Sequence, residues 1–250
     1  MEIGAVDRSR MVFEAIDMFS ARYGLPRDAV ADRLVECLRQ HFEVFFDTTV
    51  AVTLSADTID ACYYKGAQAV DIDWELLPRN MLSRMRKSFA ESLEGSKAEQ
   101  LYSIWSAYRH TAREGVVIRE RPISHTRYPG LGRYASSNEV FIEVDGMECV
   151  MDKSQFARHE TYRVGDKMFF YILKVVRPCD VYLSRGSRSL PEALLRLYVP
   201  EGQFTCIRRI PGTRSVVIGD KHVHRDIIRK VSRELGEVLI LRCPKRSKSR

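Results

Sequence analysis

The stretch Tyr182–Glu201, YLSRGSRSLPEALLRLYVPE, changes character half-way along. With Val181 ahead of it, its start reads as a β-strand that ends at Ser184-Arg185. From Leu190 to Tyr198 the leucines recur at helical spacing, and Pro200 ends that helix. The gap between strand and helix is too short for a flexible linker. Two small modules therefore meet almost directly here, and the nature of each decides the fold.

Upstream, strand-like sequence begins at Arg113-Glu114-Gly115 and runs to Ser184. Val116–Ile118 opens one strand. Val140–Val144 and Glu148–Met151 are two more, joined through Asp145-Gly146, a dipeptide favoured in tight hairpin turns. Lys167–Val176 and Asp180–Leu183 complete the set. Residues 121–138, RPISHTRYPGLGRYASSN, form a long turn-rich loop. Short strands in this number and spacing suit a small barrel of the OB type.

Downstream, Phe204–Ile210 and Arg214–Ile218 read as strands around a Pro211-Gly212 turn. Val223–Leu235 reads as a helix with Ile227, Ile228, Val231 and Leu235 inward, and Glu237–Leu241 as a closing strand. The result is a small α/β layer. Towards the N-terminus, residues 9–23 place Met11, Val12, Ala15, Ile16 and Phe19 on one helical face. Gly24 and Pro26 punctuate, and the next helix carries Val30, Leu34, Leu38 and Phe42. Val44–Tyr64 is β-type. Residues 79–110 are helical again, with one stripe at Leu82, Met85, Phe89 and Leu93 and another at Leu101, Ile104, Trp105 and Tyr108, and a break expected at Gly95-Ser96.

The chain has 250 residues, 45% of them apolar, as expected of a globular protein of two or three domains. No apolar run approaches the ~18–20 residues that span a bilayer, and the charged start MEIGAVDRSR lacks a signal-peptide core. A soluble cytoplasmic protein is expected. None of the six cysteines stands in a C-x-x-C pair, so neither a zinc site nor a redox motif is indicated. Net charge is +7, unevenly placed. Thr205–Arg250 holds 13 Lys/Arg against 4 Asp/Glu, a net of +9, leaving −2 for the remainder. A strongly basic end that is also folded points to nucleic acid. There is no P-loop, GxSxG or HExxH, so no catalytic residue, metal or cofactor is assigned and a non-enzymatic protein is expected.

The segments YRVGDKMFFYILKV (162–175), VYLSR (181–185), LPEALLRLYVPEG (190–202) and RRIPGTRSVVI (208–218) follow one another in an order that resembles the bacterial transcription elongation and termination factor NusA. GLPRDAV (24–30) and REGVV (113–117) are similar to that family's first inter-helix turn and to the start of its barrel. The resemblance implies an α+β multidomain protein: an α/β N-terminal RNA-polymerase-binding domain with a helical arm over 1–112, an S1-type OB β-barrel over 113–187, and a small KH-like α/β domain with a basic tail over 188–250. It further implies association with RNA polymerase and single-stranded nascent RNA, a nucleoid-associated location, and an effect on pausing, termination or antitermination. Other transcription elongation factors are candidate partners. The alternative is a polymerase-independent mRNA-binding or translational regulator. The KH-like segment is short. Its nearest counterpart to a GxxG loop is Gly219-Asp220-Lys221-His222, either degenerate or deleted.

An OB-type barrel binds single strands by stacking bases on aromatic side chains beside cations. Phe141, on the second strand, either stacks a base or packs in the core. Tyr134 precedes that strand, and Phe169 and Tyr171 alternate with Met168 and Phe170, so one of these two pairs must face inward. Arg158 and His159, in a loop, are placed to meet phosphate. In the basic end, Arg208, Arg209, Arg214 and Lys221 join Arg225, Arg229 and Arg233, which form an i, i+4, i+8 stripe along the last helix. These are the expected RNA contacts.

Overall fold

Gly24 and Pro26 separate the first two helices as their chemistry dictates. The computed structural model of the chain describes residues 14–55, 58–121, 126–127, 134–135 and 139–243, with the backbone alone at 121, 126–127 and 134–135. Helix α1 is described over 14–23. Its end is tied off where Gly24 and Leu25 donate their backbone N–H groups to the Ser20 carbonyl, with Gly24 at φ +65°. Pro26 caps α2, Arg27–Phe46, which buries Val30, Cys37, Leu38 and Phe42. Asp47, at φ 49°, ends it in the left-handed conformation. Residues 44–46, expected in a strand, thus belong to the last turn of this helix.

Strands β1 (Val50–Leu54), β2 (Ile59–Lys65) and β3 (Gln68–Asp71) form an antiparallel sheet with β2 central. Helix α3 runs from Arg79 to Ala107. The break expected at Gly95-Ser96 does not occur: a single interior glycine costs a helix only ~1 kcal/mol, and Leu93 beside it is fully buried with Phe89, Ile16 and Val30. Ser96 donates its hydroxyl to the Ser92 carbonyl at 3.0 Å, within the helix. By its internal contacts the chain divides into two compact units, Met1–Gln100 and Leu101–Arg250, and the division falls within α3.

The second unit is mixed α+β around a closed five-stranded barrel. The barrel consists of β4 (Ala112–Arg121), β7 (Glu139–Val144), β8 (Met147–Asp152), β9 (Lys167–Val176) and β10 (Asp180–Ser184), in the cyclic order β10-β8-β7-β4-β9. A short pair, β5 (Thr126–Arg127) and β6 (Tyr134–Ala135), lies between β4 and β7 in sequence. Asp145 and Gly146, at φ 49° and 78°, make the tight β7–β8 turn their identity predicts. Strand alternation sends Val140, Ile142 and Val144 inward with Cys149, Met151, Phe170, Ile172, Val181 and Leu183. Trp105, from the last turns of α3, joins this core.

Beyond β10 come α4 (Leu190–Tyr198), β11 (Phe204–Ile210), β12 (Arg214–Gly219), α5 (Arg225–Leu235) and β13 (Val238–Arg242). Strand β12 is central, antiparallel to β11 and parallel to β13. The two helices cover one face of this sheet, where Leu194, Leu195, Phe204, Cys206, Val217, Val231, Leu235 and Leu239 share a core. Tyr171 and Ala112 of the barrel enter the same core. Both faces of β9 are therefore used: Phe170 points into the barrel, and Phe169 and Tyr171 point under the C-terminal layer.

Candidate nucleic-acid interface

Phe141 lies between Val140 and Ile142 and so must point out of the barrel. Register fixes its neighbours on that outer face. Phe141 stands opposite Arg119 on one side and Val150 on the other, and Val150 stands opposite Tyr182, which stands opposite Lys174. One row crosses all five barrel strands: Arg119, Phe141, Val150, Tyr182, Lys174. Its cations lie over its rings, Arg119 at 4.0 Å from the Phe141 centroid and Lys174 Nζ at 4.2 Å from that of Tyr182. Arg113 over Tyr108, at 3.9 Å, and Arg177 over Tyr102, at 5.0 Å, repeat the pairing elsewhere in this unit. A ring beside a cation is the arrangement that sandwiches a base and meets its phosphate.

Phe141 itself is only 6% exposed and its face is already occupied. A base can stack on it only if Arg119, which also bonds Glu148 at 2.8 Å, swings aside. Tyr182 is half-buried and its partner Lys174 is exposed, so the Tyr182 end of the row is the more open. Tyr182, Lys174 and Arg119 were not singled out from sequence, although the alternation Val181 in, Tyr182 out, Leu183 in carried the signal.

Several expected contacts have other positions. Tyr171 is buried, its hydroxyl 3.0 Å from His110 Nδ1, and burial raises its pKa. It is a packing residue because the C-terminal layer covers its side of β9. Arg209 also turns inward, with its side chain 1% exposed. It pairs with the fully buried Glu237 at 3.0 Å and donates to the Ser187 carbonyl. Glu237 in turn accepts from Ser215 Oγ at 2.6 Å and from the Gly212 N–H at 3.0 Å. Burial lowers the Arg209 pKa, and Glu237 acts against that shift. The side chain of Tyr134 lies outside the described residues.

Most of the remaining cations form two separate groups. Arg225, Arg229 and Arg233 line the exposed side of α5, with Arg229 3.5 Å from Asp226. Lys230 lies 4.6 Å above the Tyr198 ring. Arg208 and Arg214 lie instead on the opposite side of the module, on the sheet face that the helices leave open. Lys221 is bonded to Glu201 at 2.8 Å and lowers that carboxyl's pKa. Gly219–His222 leads from β12 straight into α5, so it is not a loop between two helices. Arg158 and His159 are exposed, and their loop abuts the Pro211-Gly212 turn: a Cβ on Gly212 would overlap the Arg158 carbonyl oxygen.

The barrel and the C-terminal layer are held together by Arg185, from the end of β10. This guanidinium is 2% exposed and bonds Glu160 at 2.5 and 2.9 Å, Glu234 Oε1 at 3.1 Å, and the carbonyls of Phe169 and Glu234 at 2.7 and 2.9 Å. Burial pulls its pKa down, but Glu160 and Glu234 reverse that and leave it raised. Beside this clamp runs a groove of about 630 Å³. Phe169 and Tyr198 line it together with Lys167, Lys230 and Arg233. Glu114, Glu160 and Glu234 line it too, Lys167 being paired with Glu114 at 3.0 Å.

A scan against family models returns no match for this chain, and no curated protein matches it by sequence. Among the described residues no helix is long and apolar enough to cross a membrane, and no three His, Cys, Asp or Glu side chains group as metal ligands would.

Proposed function

We propose that this chain is a NusA-like RNA-binding transcription factor: its first unit engages RNA polymerase, and its S1-type barrel and KH-like layer hold single-stranded nascent RNA. The observation that carries the RNA reading is the row Arg119–Phe141–Val150–Tyr182–Lys174 on the outer face of the closed barrel. The groove beside the Arg185 clamp is a second candidate contact, bordered by the basic side of α5 and sharing no residue with the row. Bases stack on the row and on Tyr198 while Lys174, Lys230, Arg229 and Arg233 meet phosphates. A single helix joins the parallel strands β12 and β13, so backbone gripping by a helix–GxxG–helix unit is replaced here by this cationic helix. The protein acts by binding alone, altering pausing, termination or antitermination.

The polymerase half of the proposal rests on the sequence resemblance and is tested apart from the RNA half. Tagged full-length protein is passed over purified bacterial RNA polymerase, and separately titrated with an unstructured RNA. Retention of polymerase together with RNA binding supports the whole reading. RNA binding without polymerase retention identifies a polymerase-independent mRNA regulator, and loss of both overturns the proposal.

A further inference from the structure

The face of the C-terminal sheet turned away from its helices is open. At its centre Val216 stands in register between the β11 bulge and Ile240. Ile207 is the extra residue of the bulge, exposed and without a register partner, and Arg208 then pairs with Val216 and Arg209 with Ser215, which returns Arg209 to the interior. Ile218 and Val238 extend the apolar area. Ile207, Ile218, Val238 and Ile240 are 41, 44, 61 and 40% exposed. Arg208, Arg214 and Arg242 stand around it, one on each strand. Among the described residues none of these three forms an ion pair.

We infer that this face docks an amphipathic helix of a protein partner, with an apolar stripe on the β-branched centre and acidic residues on the three arginines. Contiguous exposed aliphatics ringed by polar groups mark an interaction surface. The patch contains no aromatic residue, so it cannot stack bases as an RNA platform must. A second copy of the chain would bring arginine rims together, which disfavours self-association; an acidic partner is complementary. Three strands span ~10 Å between their outer axes, the width of one α-helix. The inference does not depend on the RNA reading, because it uses the sheet face opposite α5 and no residue of the barrel row.

The test uses the full chain and two synthetic helical peptides with leucine at i, i+3, i+4 and i+7. One carries glutamate at the other positions and the other carries lysine. Binding is followed by fluorescence anisotropy and amide shift mapping. The acidic peptide is expected to bind at least tenfold tighter and to shift β11–β13. Val238→Asp and Ile240→Asp should each weaken it at least tenfold. The double change Arg208→Glu, Arg214→Glu should reverse the preference between peptides. Melting temperature is read alongside; if Ile240→Asp unfolds the layer, Val238→Asp and the arginine pair decide. Equal binding of both peptides, binding unaffected by Val238→Asp, or shifts of the same strands by single-stranded RNA would each overturn the inference. So would a dimer that Val238→Asp dissolves.

Discussion

Arg185 has a role that its place in the sequence does not announce. In sequence it only marks the end of a strand. In the fold it is a clamp with two carboxylates and two carbonyls around it. Glu160 and Glu234 are far away along the chain, so no local pattern announces the pairing. The same holds for Arg209 with Glu237. Arg185→Met removes the one cation that both carboxylates share, leaving Glu160 with the Tyr162 hydroxyl and Glu234 with the Phe169 N–H, so it should cost roughly 3–5 kcal/mol of stability in a urea titration. A loss under ~1 kcal/mol would mean the clamp is effectively solvated. Burial in the barrel holds the Cys149 thiol up at about 12 from an ordinary 9.0. The folded state keeps this proton where the unfolded chain loses it. Stability is thus full below pH 9 and falls as pH rises towards 12. Melting temperature should drop over that window, and Cys149→Ala, though less stable at neutral pH, should show a shallower drop.

At the scale of elements, period-two patterning was legible wherever one face is core and the other is not. β7, β8 and β10 follow from it, the hairpin follows from Asp145-Gly146, and the helix among the strands after α4 follows from the helical spacing of Ile227, Ile228, Val231 and Leu235. The sequence was less legible where context overrides local preference. Residues 44–46 continue a helix because α2 is already nucleated and Asp47 is free to cap it. Gly95 stays helical because the residues around it are buried. β9 is opaque to alternation, since both of its faces are covered. That is why Tyr171 resembles a site residue in sequence and is a packing residue in the fold. Tyr182→Ala should weaken binding to a single-stranded RNA by ~1–3 kcal/mol, about one stacked base, with little change in melting temperature. Phe141→Ala should lower the melting temperature more, because Phe141 is the better buried of the two rings. If instead Tyr182→Ala lowers stability without touching affinity in the folded fraction, the ring is only packing.

For the whole molecule, charge is the property that sequence reports most directly, because a sum needs no geometry. Its distribution over surfaces is what only the fold reveals. The basic end divides into the side of α5, the opposite sheet face and the sequence beyond Cys243. RNA affinity should therefore fall steeply with salt. Deleting 245–250, which removes Lys245, Arg246, Lys248 and Arg250, should reduce the slope of log affinity against log salt by up to ~3, at ~0.7 per phosphate on a single strand. An unchanged slope would mean that these cations meet no phosphate.

In the proposed complex RNA lies along the barrel row and also reaches the groove beside Arg185. Photo-crosslinking of a single-stranded RNA carrying 4-thiouridine to the full chain, with the crosslinked peptides mapped by mass spectrometry, tests it most directly. Crosslinks are expected at Tyr182 or Phe141 on the barrel and at Tyr198 beside Lys230. Crosslinks confined to β11–β13, or to residues before 101, would contradict that placement.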